Sequence, residues 1–187
     1  MSIEDLLMRL VAVTIAVAGV VATFVDAAAQ GRPKADVNVV VDADGVRPDS
    51  NARVALRVSL PDGVHVQSNQ PRDPLLIASA VTPTLPAGVS LVETLFPPAA
   101  DFKQAGASEP LSVFEQTFII GLKPAVAPSV TPGEVTVPIR FRYQACDDRT
   151  CFAPLREDLS AVLHVVPVSI TPKPQFADVF ARLRFAR

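Results

Sequence analysis

The stretch VTVPIRFRYQACDDRTCFAP, residues 135–154, holds both cysteines of the chain and organises the reading of the rest. Val135, Val137, Ile139, Phe141, Tyr143 and Ala145 fall on one side of an extended backbone. Thr136, Pro138, Arg140, Arg142, Gln144 and Cys146 fall on the other. A period of two marks a β-strand with one buried face. The pattern predicts a strand over residues 135–145 with Tyr143 inward. It places Cys146 on the exposed polar face, outside the core set. Asp147-Asp148-Arg149-Thr150 then separates it from Cys151.

Five steps of extended chain span roughly 16 Å, whereas a disulfide needs Cα atoms about 4.4–6.8 Å apart. The chain must therefore turn, and Asp suits a turn because its carboxylate accepts hydrogen bonds from the backbone that follows. A four-residue hairpin loop sets Cys146 and Cys151 opposite one another at about 4.5–5.5 Å, which makes a disulfide geometrically easy. As a staple it is weak. A ring of about six residues constrains the unfolded chain by about 2 kcal/mol, against about 5 kcal/mol for a loop of about 100 residues. Two readings stand: a bond made to be opened and closed, which the short exposed ring favours, and an inert hairpin clip. Arg140, Arg142 and Arg149 favour a thiolate while Asp147 and Asp148 oppose it, and the sequence leaves that balance open.

Among 187 residues there are 18 prolines, 8 glycines and a 49% hydrophobic content, enough for one domain with a good core. Seventeen basic residues against 19 acidic ones leave no basic field to hold nucleic acid or an anionic membrane. At the N-terminus, Arg9 precedes the uncharged run 10–25, and Ala27-Ala28-Ala29 supplies small residues for a signal peptidase. A signal peptide over residues 1–29 is expected, although Glu4, Asp5 and Asp26 flank it atypically. The alternative is an uncleaved anchor, but the run falls short of the roughly 20 residues that span a bilayer. Export places the cysteines where a disulfide persists. A soluble, monomeric, periplasmic protein is expected.

Along the remaining chain, strands are predicted at residues 36–41, 53–60, 64–67, 75–81, 89–95, 113–122 and 159–168, besides the cysteine strand. Turn-rich and proline-marked segments separate them, including PDG at 61–63, the polar corner SNQPRDP at 68–74 and TPTLPAG at 82–88. Residues 96–110 form a long irregular segment and residues 123–133 a proline-rich loop. This spacing predicts an all-β antiparallel sandwich over residues 30–170. In the tail, residues 171–187, Phe176, Val179, Phe180 and Leu183 recur at helical spacing and predict a short helix packed on the sandwich.

No GxSxG, HExxH, Walker or GxGxxG pattern occurs. A zinc site would need Cys146, Cys151, His65 and His164 together, a scattered set with poor spacing. No cofactor and no metal are expected. His164 reads as a sheet-surface residue. His65 lies at a strand end beside the polar corner, either solvated or part of a site.

At YQACDDRTCFAP the sequence resembles the N-terminal domain of the thiol:disulfide interchange protein DsbD family, which has a Tyr-Gln-x-Cys strand end, a second cysteine and then proline. DGVHVQSNQP and LFPPAADF extend the likeness, which covers about residues 36–168. The resemblance implies an immunoglobulin-like sandwich in the periplasm that passes electrons between thioredoxin-like partners, in routes such as cytochrome c biogenesis. By motif position it implies Cys151 as the residue that forms the mixed disulfide and Cys146 as the one that resolves it. It also implies a cap loop with a phenylalanine over the pair. Phe102, after Asp101, is the candidate, with an ordinary core anchor as the competing reading. Tyr143, Gln144 and His65 would line the site, Tyr143 by packing. The chain departs from well-known members in having one fewer residue between the cysteines, and in carrying His65 and Gln67 where those members have aromatics. The sequence stops at Arg187, where the family continues into membrane and thioredoxin domains, so a stand-alone domain with a separate electron donor is expected, or another task on the same scaffold. The alternative function is a non-catalytic secreted binding or assembly module.

Overall fold

Twelve strands and one helical turn make up the described residues, 31–106 and 108–186, of a computed structural model. The expected signal peptide, residues 1–29, lies outside them. Strands β1 (Asp36–Val41), β2 (Ser50–Asn51), β3 (Val54–Ser59), β6 (Val89–Leu95) and β9 (Thr117–Val126) form one sheet. A second sheet contains β5 (Ala80–Pro83), β10 (Gly133–Tyr143) and β12 (Leu155–Val165), with β10 central. A third runs in the order β11 (Ala145–Cys146), β4 (His65–Gln67), β8 (Leu111–Glu115), β7 (Ala100–Phe102). All the strand pairs are antiparallel. The chain is an immunoglobulin-like all-β sandwich.

The core is built by period-two alternation. Val54, Leu56 and Val58 of β3 meet Ile120 and Leu122 of β9, and Val137, Ile139, Phe141 and Tyr143 of β10 close over them with Leu163 of β12. Burying each such side chain contributes about 1.5–3 kcal/mol. The Tyr143 hydroxyl stays satisfied at depth: it accepts from Ala35 N–H at 2.9 Å and donates towards Glu157 at 3.5 Å. Burial pushes its pKa up.

Three predicted strands depart most from their expected bounds. Residues 75–81 do not form one strand, because the Asp73 carboxylate accepts from Leu75 N–H and the Asp73 carbonyl accepts from Leu76 N–H, closing a turn. Leu75 is 88% exposed, and β5 begins only at Ala80. Residues 113–122 are two strands, since Gln116 adopts a left-handed φ of 54° and ends β8. β9 then continues through Pro124 to Val126, into the segment predicted as loop, because β6 pairs with it up to that residue. The last strand starts at Leu155, four residues before the expected position, since its ladder with β10 extends to the pair Tyr143–Leu155.

In the tail, α1 (Ala177–Phe180) is a single turn. Val179 and Phe180 are buried against Ala55 and Ile119, on the face of the first sheet that points away from the main core. Phe176 leaves the predicted stripe: it has a φ of 50° and is half exposed. Among the described residues no helix is long and apolar enough to cross a membrane.

Candidate redox site

The cysteine strand divides at Gln144. Up to Tyr143 the chain pairs with β12 and β5; from Ala145 it pairs with β4 instead, Ala145 opposite Val66 and Cys146 opposite His65. Ala145 and Val66 face the sandwich core. Cys146, His65 and Gln67 take the other face, which the sequence expectation left to solvent. That face is covered, and Cys146 is 0% exposed, so the expectation of an exposed cysteine is corrected. The expectation failed because it continued one strand through a change of sheet.

Cys146 and Cys151 are joined in a disulfide with their Cα atoms 4.0 Å apart. The turn between them follows Asx-turn chemistry. The Asp147 carboxylate accepts from Arg149 N–H at 2.8 Å and Thr150 N–H at 2.7 Å, and Asp147 N–H donates to the Thr150 carbonyl at 2.9 Å. Those backbone hydrogen bonds hold its carboxyl below the usual range. Cys151 is partly exposed, unlike Cys146.

Gln67 points its side-chain amide at both sulfurs, Nε2 lying 3.6 Å from Cys146 Sγ and 4.0 Å from Cys151 Sγ. Gln67 Oε1 and both ring nitrogens of His65 are buried without a hydrogen-bond partner among the described residues. His65 is 1% exposed, so the solvated reading of this residue is corrected. Its ring packs on Phe102 at a centroid distance of 4.0 Å, the two planes tilted by 34°. Burial lowers its pKa, with the charge of Asp147 opposing. Phe102 thus lies against the cross-strand neighbour of Cys146.

Residues after Phe102 reach the cysteine loop. Gln104 Nε2 donates to the Asp147 carbonyl and Ala105 N–H to the Asp148 carbonyl, each at 3.3 Å. Arg72 fastens both ends of the segment, pairing with Asp101 and donating to the Pro110 carbonyl at 2.7 Å. The ion pair is exposed on both sides, so it contributes at most about 1 kcal/mol. Gln144 braces the opposite side: its Oε1 accepts from Ile77 N–H and its Nε2 donates to the Phe152 carbonyl, both at 3.2 Å.

Of the residues that the sequence singled out, Cys146, Cys151, His65, Phe102 and Asp101 converge on this corner, and Gln144 supports it. Tyr143 directs its hydroxyl to Ala35 and Glu157. His164 sits at the far end of the β10–β12 ladder, half exposed and 3.4 Å from Glu134, so the four-residue zinc set is not assembled. Arg140 is engaged by Asp158 at 2.8 Å. The sequence reading left Gln104 and Arg72 out of the site and named Gln67 only as a departure from the family's aromatics. Gln67 had a signal, its two-residue spacing from His65 in the strand VHVQ; the other two had none.

The family described as thiol:disulfide interchange protein DsbD, N-terminal, matches residues 33–162. The chain belongs to the DsbD N-terminal domain family. Among solved structures, it is similar to the reduced DsbD N-terminal domain of Neisseria meningitidis, with 15% identity and a TM-score of 0.42 over 68% of this chain and 90% of that one. It is also similar to the N-terminal periplasmic domain of ScsB from Proteus mirabilis, with 16% identity and a TM-score of 0.46 over 79% of this chain. The match covers 54% of that ScsB chain. No curated protein sequence matches. Membership and the bonded cysteine pair support a thiol–disulfide exchange module in this DsbD N-terminal domain.

Proposed function

We propose that the domain works in the periplasm, exported by residues 1–29, and passes electrons between thioredoxin-like partners through Cys146 and Cys151. The observation that carries this reading is the asymmetry of the pair, with Cys146 wholly buried and Cys151 partly exposed. Exchange requires a thiolate to reach one sulfur, which makes Cys151 the residue that forms the mixed disulfide. Cys146, bonded to it and shielded, is the leaving group when a donor reduces the pair. In the opposite half-reaction Cys146 attacks Cys151 and releases the reduced partner. Asp101, Phe102 and the residues that follow act as a cap over the pair, and Gln144 keeps the cysteine loop in place.

The experiment is a trap. With Cys146→Ser, Cys151 should accumulate a mixed disulfide with a thioredoxin-like protein in periplasmic extracts, visible by mass spectrometry of the conjugate. Capture by Cys151→Ser alone would reverse the two roles. A reduction potential well below about −300 mV for the native pair would mark a structural bond and remove the exchange reading.

A further inference from the structure

The outer face of β4 is the least ordinary surface in the molecule, because it is buried, polar and turned to the disulfide. Buried polar atoms normally have partners, yet Gln67 Oε1 and both ring nitrogens of His65 have none among the described residues. A cavity of about 400 Å³ lies beside His65, with Phe102, Asp62 and Glu115 also among its walls. It is roomy enough for water. His65 stands directly opposite Cys146 in an antiparallel pair, so the two side chains share a face. The Gln67 amide approaches Cys146 Sγ more closely than Cys151 Sγ. A disulfide sulfur is a weak acceptor for that N–H, whereas a thiolate in the same position accepts strongly.

We propose that Gln67 and His65 manage the charge and the proton of Cys146: the Gln67 amide holds its thiolate, and His65 exchanges its proton. This deepens the exchange reading above and rests on it. In the resolving step the Cys146 thiol gives its proton to a ring nitrogen of His65. The thiolate attacks Cys151 of the mixed disulfide, forming the Cys146–Cys151 bond, and the bond from Cys151 to the partner breaks. Its electron pair leaves with the partner's thiolate, and His65 passes the proton to the cavity and solvent. In the reverse direction the same groups receive Cys146 as a leaving thiolate and protonate it. The charged groups facing His65 are Glu115, its partner on β8, Asp147 of the cysteine loop, and Asp62 across the cavity. Phe102 adds none. Burial keeps the ring neutral and able to accept.

The test mixes the reduced, full-length protein with one equivalent of 5,5′-dithiobis(2-nitrobenzoate) and follows the coloured thiolate. The first release reports attack by Cys151; the second reports Cys146 closing the disulfide. Gln67→Met keeps the side-chain volume, and His65→Phe keeps a ring against Phe102. Each should lower the ratio of second to first rate about tenfold at pH 7, the factor that one unit of thiol pKa represents. His65→Phe should also flatten the rise of the second rate with pH. An unchanged ratio in both variants overturns the proposal, and a fall in only one removes the other residue from the role. Absence of a first release in the parent protein overturns the exchange reading instead.

Discussion

Burial of His65 between Phe102 and the cysteine strand holds its imidazole neutral, because desolvation outweighs the attraction of Asp147. Its folded pKa lies below the free value of 6.5, so the unfolded chain takes up the proton first as the pH falls. Stability from this residue is therefore complete above about pH 6.5 and is lost as the pH drops through the folded pKa. Asp147 acts with the same sign but below its free value of 3.8, in a separate window. In urea titrations at pH 7.5 and 5.5, the parent should lose stability at the lower pH, and His65→Phe should show a smaller loss. Equal losses would remove His65 as the source. At this scale the sequence was informative about faces and silent about cover. Alternation put Cys146 on the face away from the core, and Asp147 signalled its turn. What covers that face comes from β4 and Phe102, about 80 and 45 residues upstream, and no local pattern encodes such a contact.

Among the elements, the segment that follows β7 touches the cysteine loop through Gln104 and Ala105, and the proposed cap role makes access to the sulfurs depend on it. Phe102→Ala removes the ring packed on His65, which should speed reduction of the disulfide by dithiothreitol several-fold in pseudo-first-order kinetics. An unchanged rate would take Phe102 out of the shield. Most strands were legible because their apolar residues alternate, as in VALRVS of β3 and the long run of β10. The break between β8 and β9 was not. A left-handed residue usually announces itself as glycine, and here it is Gln116, which tolerates that conformation at a cost of about 1–2 kcal/mol. β7 escaped notice for a simpler reason: three residues, Ala-Asp-Phe, are too few to show a period.

The whole molecule carries its redox corner and its tail in separate packing units. Phe180 and Val179 cover Ala55 and Ile119 on the first sheet, while Cys146 belongs to the third and Cys151 is bonded to it. Phe180→Ala should lower unfolding stability by about 3 kcal/mol, read from urea denaturation, and leave the rate of disulfide reduction unchanged. A faster reduction would mean that the tail and the site are coupled. The helical stripe of the tail was legible as apolar spacing, yet only one turn forms, because the left-handed Phe176 stands immediately before it. The sandwich itself was readable from turn spacing and from the absence of long helical patterns. Its division into three sheets was not, since which strands pair is settled by non-local packing.

Arg72 holds the cap segment at Asp101 and Pro110, its two roots, whereas Gln104 and Ala105 hold it to the cysteine loop by one hydrogen bond each. The arrangement is that of a flap hinged at both sides. Lifting Gln104 and Ala105 from Asp147 and Asp148 disturbs no core residue, so this opening is a local event with a free energy far below that of unfolding. The amide of Ala105 should accordingly exchange with solvent deuterium long before those of β9 or β10. In the proposed exchange, a partner would then reach Cys151 while the sandwich beneath stays intact.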